Sequence, residues 1–367
     1  MGRRDLLPPV MRQPTVRAGL MAPLCLVWLT VSAAQAAPAV PAVPAPPQAL
    51  ASSAPTPATA PASGLPEVPL EEVVSEQNEP KFAAPTRRDR IGRLWAPVKI
   101  DGKGPFRLVL DTGASHSAVI QRTADLLADP KTEEMVVVTG VTGSAIVPTF
   151  RVSSMEVGEL LLGPTFLPIV PDVFGGAQGV LGREGLADMR IFADFRRDQL
   201  TIMHSRNQHA GFDFAVIPLK LVHDGLLVAD ALVGRVRTHA IIDTGAQRTL
   251  GNEALRTALM RNSHRPSTRE DIIGVTLDVQ SGDNQPAPPI FMGKVVLSGV
   301  RVTFGDMYLF EHWDMTREPT MLVGMDVLGS FDAIVIDYRT HQLELRQRSA
   351  NSDWLSRPVA PGEYKPF

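Results

Sequence analysis

The tetrapeptide Asp111-Thr112-Gly113-Ala114 recurs as Asp243-Thr244-Gly245-Ala246. Each Asp closes an apolar run, at residues 108–110 and 240–242, so a buried strand would deliver its carboxylate. Glycine two positions on has no Cβ and lets backbone amides approach that carboxylate closely. The Thr between them carries a hydroxyl able to tie two such loops together. Brought face to face, two carboxylates repel by on the order of 4 kcal/mol at an effective dielectric near 20. That is about three pKa units, so one keeps its proton while the other ionises. An acid and a base then share one site. The ionised partner takes a proton from a water, which attacks a carbonyl, and the protonated partner hydrogen-bonds the developing oxyanion. This chemistry requires neither metal nor cofactor.

A single Asp-Thr-Gly is weak, but average composition gives only about 0.1 chance copies in a chain of this length. Both copies also head the same ordered series. Gly140-Val141-Thr142 recurs as Gly274-Val275-Thr276, and Gly158 before Leu160-Leu161-Leu162 recurs as Gly293 before Val295-Val296-Leu297. Val180-Leu181-Gly182 recurs as Leu322-Val323-Gly324, and Asp194-Phe195-Arg196 with Gln199-Leu200 recurs as Asp337-Tyr338-Arg339 with Gln342-Leu343. The order implies a duplicated lobe with insertions in its loops, and repeats this long are domains, not a solenoid.

The elements that must position these residues read as strands. Short runs rich in Val, Ile and Leu lie at residues 106–110, 135–138, 160–162, 226–232, 240–242, 294–297 and 333–336, bounded by turn-forming residues. Helical patterns are confined to 118–127 and 252–260. The expected class is all-β with minor short helices. Residues 280–289 are polar and Pro-rich, and read as a loop in the second lobe where the first has a hairpin.

The chain has 367 residues, 36 basic and 39 acidic, with 44% hydrophobic residues. A substantial core is implied, and the charge balance argues against a general nucleic-acid binder. Arg3, Arg4, Arg12 and Arg17 precede an uncharged apolar run at 20–34, followed by Ala34-Gln35-Ala36. That order is a secretory signal, too short and too Pro-interrupted for a stable membrane span. Cleavage would remove Cys25, the only cysteine, leaving a disulfide-free chain suited to a bacterial periplasm. The expected organisation is a signal peptide at 1–36 and a Pro/Ala-rich linker or propeptide at 37–90. An N-terminal lobe at 91–211, a C-terminal lobe at 212–348 and a tail at 349–367 follow. The expected location is periplasmic or secreted, with retention through an uncleaved N-terminus as the alternative.

With these motifs in hand, residues 91–346 resemble the pepsin/retropepsin superfamily of aspartic proteases, in the manner of exported bacterial two-lobe proteins with retropepsin-like motifs. The resemblance implies two β-barrel lobes related by a pseudo-two-fold axis, and Asp111 and Asp243 as the catalytic pair. It implies that Thr112, Gly113, Ala114, Thr244, Gly245 and Ala246 support the two loops. It also implies that Ser115, Gln247 and the flap residues Gly140, Val141 and Thr142 contact an extended peptide or protein substrate. Two motifs in one chain make a monomer sufficient. Ala114 and Ala246 replace the Ser or Thr that donates to the carboxylate in pepsins, which places the expected pH optimum nearer neutral. Gly182-Arg183-Glu184 resembles the Gly-Arg-Asp/Asn run of retropepsins, but Met325 stands where the second lobe would carry Arg. Ser115 and Gln247 stand where Asp is common, so the family's symmetric ion pairs are absent. This asymmetry motivates the alternative expectation, a peptide-binding protein that kept the fold and lost turnover.

Other chemistries lack their motifs. The eight His show no HExxH spacing, no Ser lies in a Gly-x-Ser-x-Gly elbow, and residues 182–185 lack the Lys of a phosphate loop.

Overall fold

Val, Ile and Leu alternating with short polar turns produce a mainly β molecule of many short strands. The computed structural model describes residues 84–85, 92–127, 134–208, 211–223, 225–260 and 266–348. The expected signal peptide at 1–36, nearly all of the linker at 37–90 and the tail at 349–367 lie outside the described residues.

Two sheets repeat one another. In the first half, Lys103–Leu110 runs parallel to Gly179–Leu181, which is antiparallel to Ala118–Ile120. In the second half, Val236–Ile242 runs parallel to Thr320–Val323, which is antiparallel to Leu250–Gly251. Each half carries a long hairpin, Met135–Thr139 with Ser144–Val152 and Thr268–Ile273 with Val279–Pro286. Each also carries a short one, Met155–Val157 with Leu160–Leu162 and Ile290–Met292 with Val295–Leu297. The short hairpins turn on Gly158 at φ 57° and Gly293 at φ 56°. This left-handed conformation is the reason for glycine at both positions.

A third sheet joins the halves. Its order is Ala84–Pro85, Gln199–His204, Met189–Asp194, Ala333–Asp337, Gln342–Arg346, Phe214–Pro218. The central pairing aligns Ile191 with Ile336 and Ala193 with Ile334. The main core continues across it from Leu94 to Leu345. Charged groups also cross it: Arg190 donates to Asp337 at 2.9 Å and to Glu344 at 2.7 Å, and Arg346 donates to Asp194 at 3.1 Å.

The structure revises three expectations. Residues 118–120 form a strand, and the helix is only Gln121–Leu127. Ala118, Val119 and Ile120 are buried between two neighbouring strands, a setting that suits β-branched residues better than a helix does. Residues 280–286 are not a loop but most of Val279–Pro286, paired on both sides. Polar Asn284 and Asp283 are accommodated there by cross-strand contacts, Asn284 to Thr303 at 2.9 Å and Asp283 to Arg269 at 3.7 Å. Finally, Ala84–Pro85, inside the expected linker, pairs with Leu200 and Gln199 at a sheet edge, where a proline without an N–H is tolerated.

Candidate active site

The two Asp-Thr-Gly loops leave the ends of equivalent strands. The Asp111 N–H donates to the Leu181 carbonyl at 3.0 Å, and the Asp243 N–H to the Val323 carbonyl at 3.1 Å. The apolar pairs Val180-Leu181 and Leu322-Val323 are therefore the buried strands beside each loop. Asp111 Oδ1 accepts the N–H groups of Gly113 at 2.8 Å and Ala114 at 2.9 Å. Asp243 Oδ1 accepts those of Gly245 at 2.8 Å and Ala246 at 3.0 Å. Each acid thus sits in the same two-amide cradle.

The cradles face one another. A Cβ on Gly113 would stand 2.7 Å from Asp243 Oδ2, and one on Gly245 would collide with the Asp111 carboxyl group. Glycine at these positions is required by the opposite acid, in addition to its own loop. Thr112 and Thr244 lock the arrangement. Thr112 Oγ1 donates to the Ile242 carbonyl at 2.8 Å and accepts the Thr244 N–H at 3.1 Å. Thr244 Oγ1 donates to the Leu110 carbonyl at 2.7 Å and accepts the Thr112 N–H at 3.1 Å.

Asp111, Thr112, Asp243 and Thr244 are all fully buried. Burial, and then the negative charge of Asp243, hold the Asp111 carboxyl well above its ordinary value. The amides of Ala114 and Gly113 pull it the other way without prevailing. One carboxyl of this pair is therefore a proton donor at a pH where an isolated aspartate is ionised.

The tips of the two long hairpins each pack into the opposite half. Val141, at the tip of the first long hairpin, is fully buried among second-half residues that include Ala246, Ile241, Leu309 and Phe310. Its carbonyl accepts the Leu309 N–H at 3.2 Å. Val275, at the tip of the second, is buried among first-half residues that include Ala114, Ala118, Ile120 and Val138. The tips touch where they cross: a Cβ on Gly140 would stand 3.0 Å from the Val275 side chain, and one on Gly274 would collide with the Thr142 hydroxyl. Each valine thus packs into the half opposite its own, in the apolar cluster that also holds the alanine following the other Asp-Thr-Gly.

All the expected site residues except Ser115 are well enclosed. Ala114 and Ala246 are buried, and their carbonyls accept the N–H groups of Arg183 at 2.9 Å and Met325 at 2.8 Å. Gln247 is buried, with its carbonyl accepting the Asp326 N–H at 3.1 Å. Ser115 is half-buried, and its hydroxyl lies 3.1 Å from His116 Nδ1. Gly140, Val141 and Thr142 are engaged by the second half in this closed arrangement.

Sequence reasoning missed several contributors. Arg183, without an Asp at position 115, donates to the Gly113 carbonyl at 3.0 Å and reaches the His223 carbonyl of the second half at 3.4 Å. Ser117 and Thr249 stand at the same spacing after their Asp residues, and they bind Glu184 and Asp326 respectively. Extending the repeat comparison by three residues would have paired them. Val275 was marked by the repeat of Gly140-Val141-Thr142 as Gly274-Val275-Thr276, but not as a site residue, and Leu309 carried no local signal. Among the described residues, no three His, Cys, Asp or Glu side chains converge as a metal set would.

Residues 96–184 match the family model described as aspartyl protease. The match spans the first Asp-Thr-Gly, the first long hairpin and Gly182-Arg183-Glu184, while the second motif lies beyond it. No curated protein matches the chain. Residues 96–184 are a retropepsin-like aspartyl protease domain.

Proposed function

We propose that the protein is an aspartic endopeptidase in which Asp111 and Asp243 together activate a water molecule. The reading rests on one observation above all: two fully buried aspartates in identical amide cradles, each backed by the glycine of the other loop. In this account the ionised carboxylate takes a proton from a water held between the pair, and the resulting oxygen attacks a peptide carbonyl. The protonated partner donates to the carbonyl oxygen as charge develops there. That proton then passes to the leaving nitrogen. The fixed amide cradles hold both acids in place, so little reorganisation accompanies the reaction.

The same reading takes the two repeated sheets as two β-barrel lobes about a pseudo-two-fold axis, at 91–211 and 212–348, in one exported, periplasmic chain. The reciprocal threonine bonds and the repeated strand pairings support it. An extended peptide would lie between the acids and the two hairpin tips, which must lift to admit it.

The test is incubation of the purified protein with an unstructured protein substrate from pH 3 to pH 8, with new termini identified by mass spectrometry. Internal cleavage at many peptide bonds, unaffected by chelators, is expected. Substrate binding without new termini at any pH would favour the peptide-binding alternative.

A further inference from the structure

The two halves differ behind the acids, at Gly182-Arg183-Glu184 against Gly324-Met325-Asp326. In the second half Asp326 is satisfied on both oxygens, accepting the Thr249 N–H at 3.0 Å and the Thr249 hydroxyl at 2.8 Å. In the first half, Glu184 Oε1 accepts the Ser117 N–H at 2.6 Å, and the Ser117 hydroxyl accepts the Gly182 N–H at 3.0 Å, just as the Thr249 hydroxyl accepts the Gly324 N–H at 3.2 Å. Glu184 Oε2 is enclosed with no hydrogen-bond partner, although other atoms of the residue reach solvent. It occupies, with the His116 carbonyl, the space that a Cβ on Gly182 would need. An enclosed carboxyl oxygen without a donor is costly as an anion and tolerable as a neutral acid.

The charged neighbour is Arg183, whose guanidinium holds the Gly113 carbonyl at 3.0 Å and the His223 carbonyl at 3.4 Å. Gly113 in turn donates to Asp111 Oδ1 at 2.8 Å. The other titratable side chain on this loop is His116, 3.1 Å from the Ser115 hydroxyl. A chain of contacts therefore runs from Arg183 through Gly113 to the reacting carboxyl, and Glu184, next in sequence, feels the Arg183 charge.

We propose that Glu184 is a positioning residue for the Asp111 loop: as a neutral acid it leaves Arg183 on the Gly113 carbonyl, and as an anion it draws the guanidinium away and loosens the loop. Burial pushes the Glu184 carboxyl up to about 7, against the pull of Ser117 and Arg183. The switch thus falls within the working range of a near-neutral enzyme; burial also raises Asp326 in the second half, but there Met325 stands in place of the arginine that the switch would move. The inference rests on the peptidase reading for its effect on turnover, but not for its effect on the loop.

Two measurements on the full chain test it. In wild-type protein, the Gly113 and Ala114 amide resonances should shift with a midpoint near neutrality, and Glu184→Gln should abolish that shift. In the cleavage assay, Glu184→Gln should move the basic limb of the kcat/KM profile upward by about one pH unit or more, leaving the acidic limb in place. Glu184→Asp, which repeats the second-half side chain, should fold and lower the midpoint. Amides of 113 and 114 that do not titrate between pH 6 and 8 in the wild type (on the order of one unit either side of neutrality) would overturn the proposal. So would a Glu184→Gln profile whose basic limb superimposes on the wild type. Absence of cleavage in every variant would instead count against the peptidase reading, and the amide titration would still decide the role of Glu184.

Discussion

Thr112 and Thr244 hold each other by two reciprocal bonds, each hydroxyl accepting the other's backbone N–H at 3.1 Å. Each hydroxyl also donates to the carbonyl that precedes the opposite acid, at Ile242 and Leu110. The spacing of the two carboxylates is therefore set by the threonines, not by the acids themselves.

Thr112→Val keeps the shape of the side chain but leaves the Thr244 N–H and the Ile242 carbonyl buried without partners. The expected cost is about 3 kcal/mol of stability, from two orphaned groups. Thr112→Ser should recover most of it. Urea unfolding of the three proteins reads this directly, and a Thr112→Val midpoint equal to the wild type would refute the role.

The raised Asp111 carboxyl fixes the sign of a pH effect. An acid whose folded pKa lies above its unfolded value stabilises the fold below the unfolded pKa, and that stability is lost as pH rises through the folded value. Asp111→Asn removes the loss. The Tm of Asp111→Asn relative to wild type should therefore rise with pH from about 4 upward. A Tm difference that is flat, or that falls with pH, would contradict the coupled, buried pair.

Across the central sheet the sign is opposite. Burial alone would raise Asp337, but the Thr340 amide, Arg190 and Ser205 outweigh it and hold its carboxyl below the ordinary value. Arg190→Met strands Asp337 and Glu344, both fully buried, at an expected cost of about 3–5 kcal/mol at neutral pH. The penalty should shrink in acid, as pH falls through the lowered Asp337 value and the contribution of that carboxylate is lost. Chemical denaturation at pH 7 and at pH 3 (roughly either side of the usual aspartate range) distinguishes this from a simple packing loss.

The crossed valines give a prediction about opening. Val141→Ala removes buried apolar contact with the second half, weakening closure by about 2 kcal/mol. Hydrogen exchange at the Leu309 N–H, which closure protects, should then quicken by about tenfold or more. Unchanged exchange there would mean that the first hairpin is not held by its tip.

Much of the fold was readable because its signals are local and repeated. The five matching elements all reappear as equivalent strands or turns, down to Gly158 and Gly293 in the same left-handed conformation. The carboxylate cradles were readable for the same reason, since a loop and its amides are neighbours in sequence. What escaped depended on distant partners. Residues 118–120 looked helical until flanking strands buried them, and the polar stretch after 279 gave no apolar alternation to mark its pairing. Arg183 was read by its missing family partner, and only the folded chain supplies the Gly113 and His223 carbonyls in its place. Nothing near Val275 points to a seat in the opposite half.

The claim that Asp111 and Asp243 act as one unit is tested most directly by kcat/KM for Asp111→Asn, Asp243→Asn and the double variant on one unstructured substrate. The account predicts that each single change costs at least about a thousandfold and that the double costs no more than either single, because the loss of one acid already disables the pair. Multiplicative losses, or substantial cleavage surviving either single change, would contradict it.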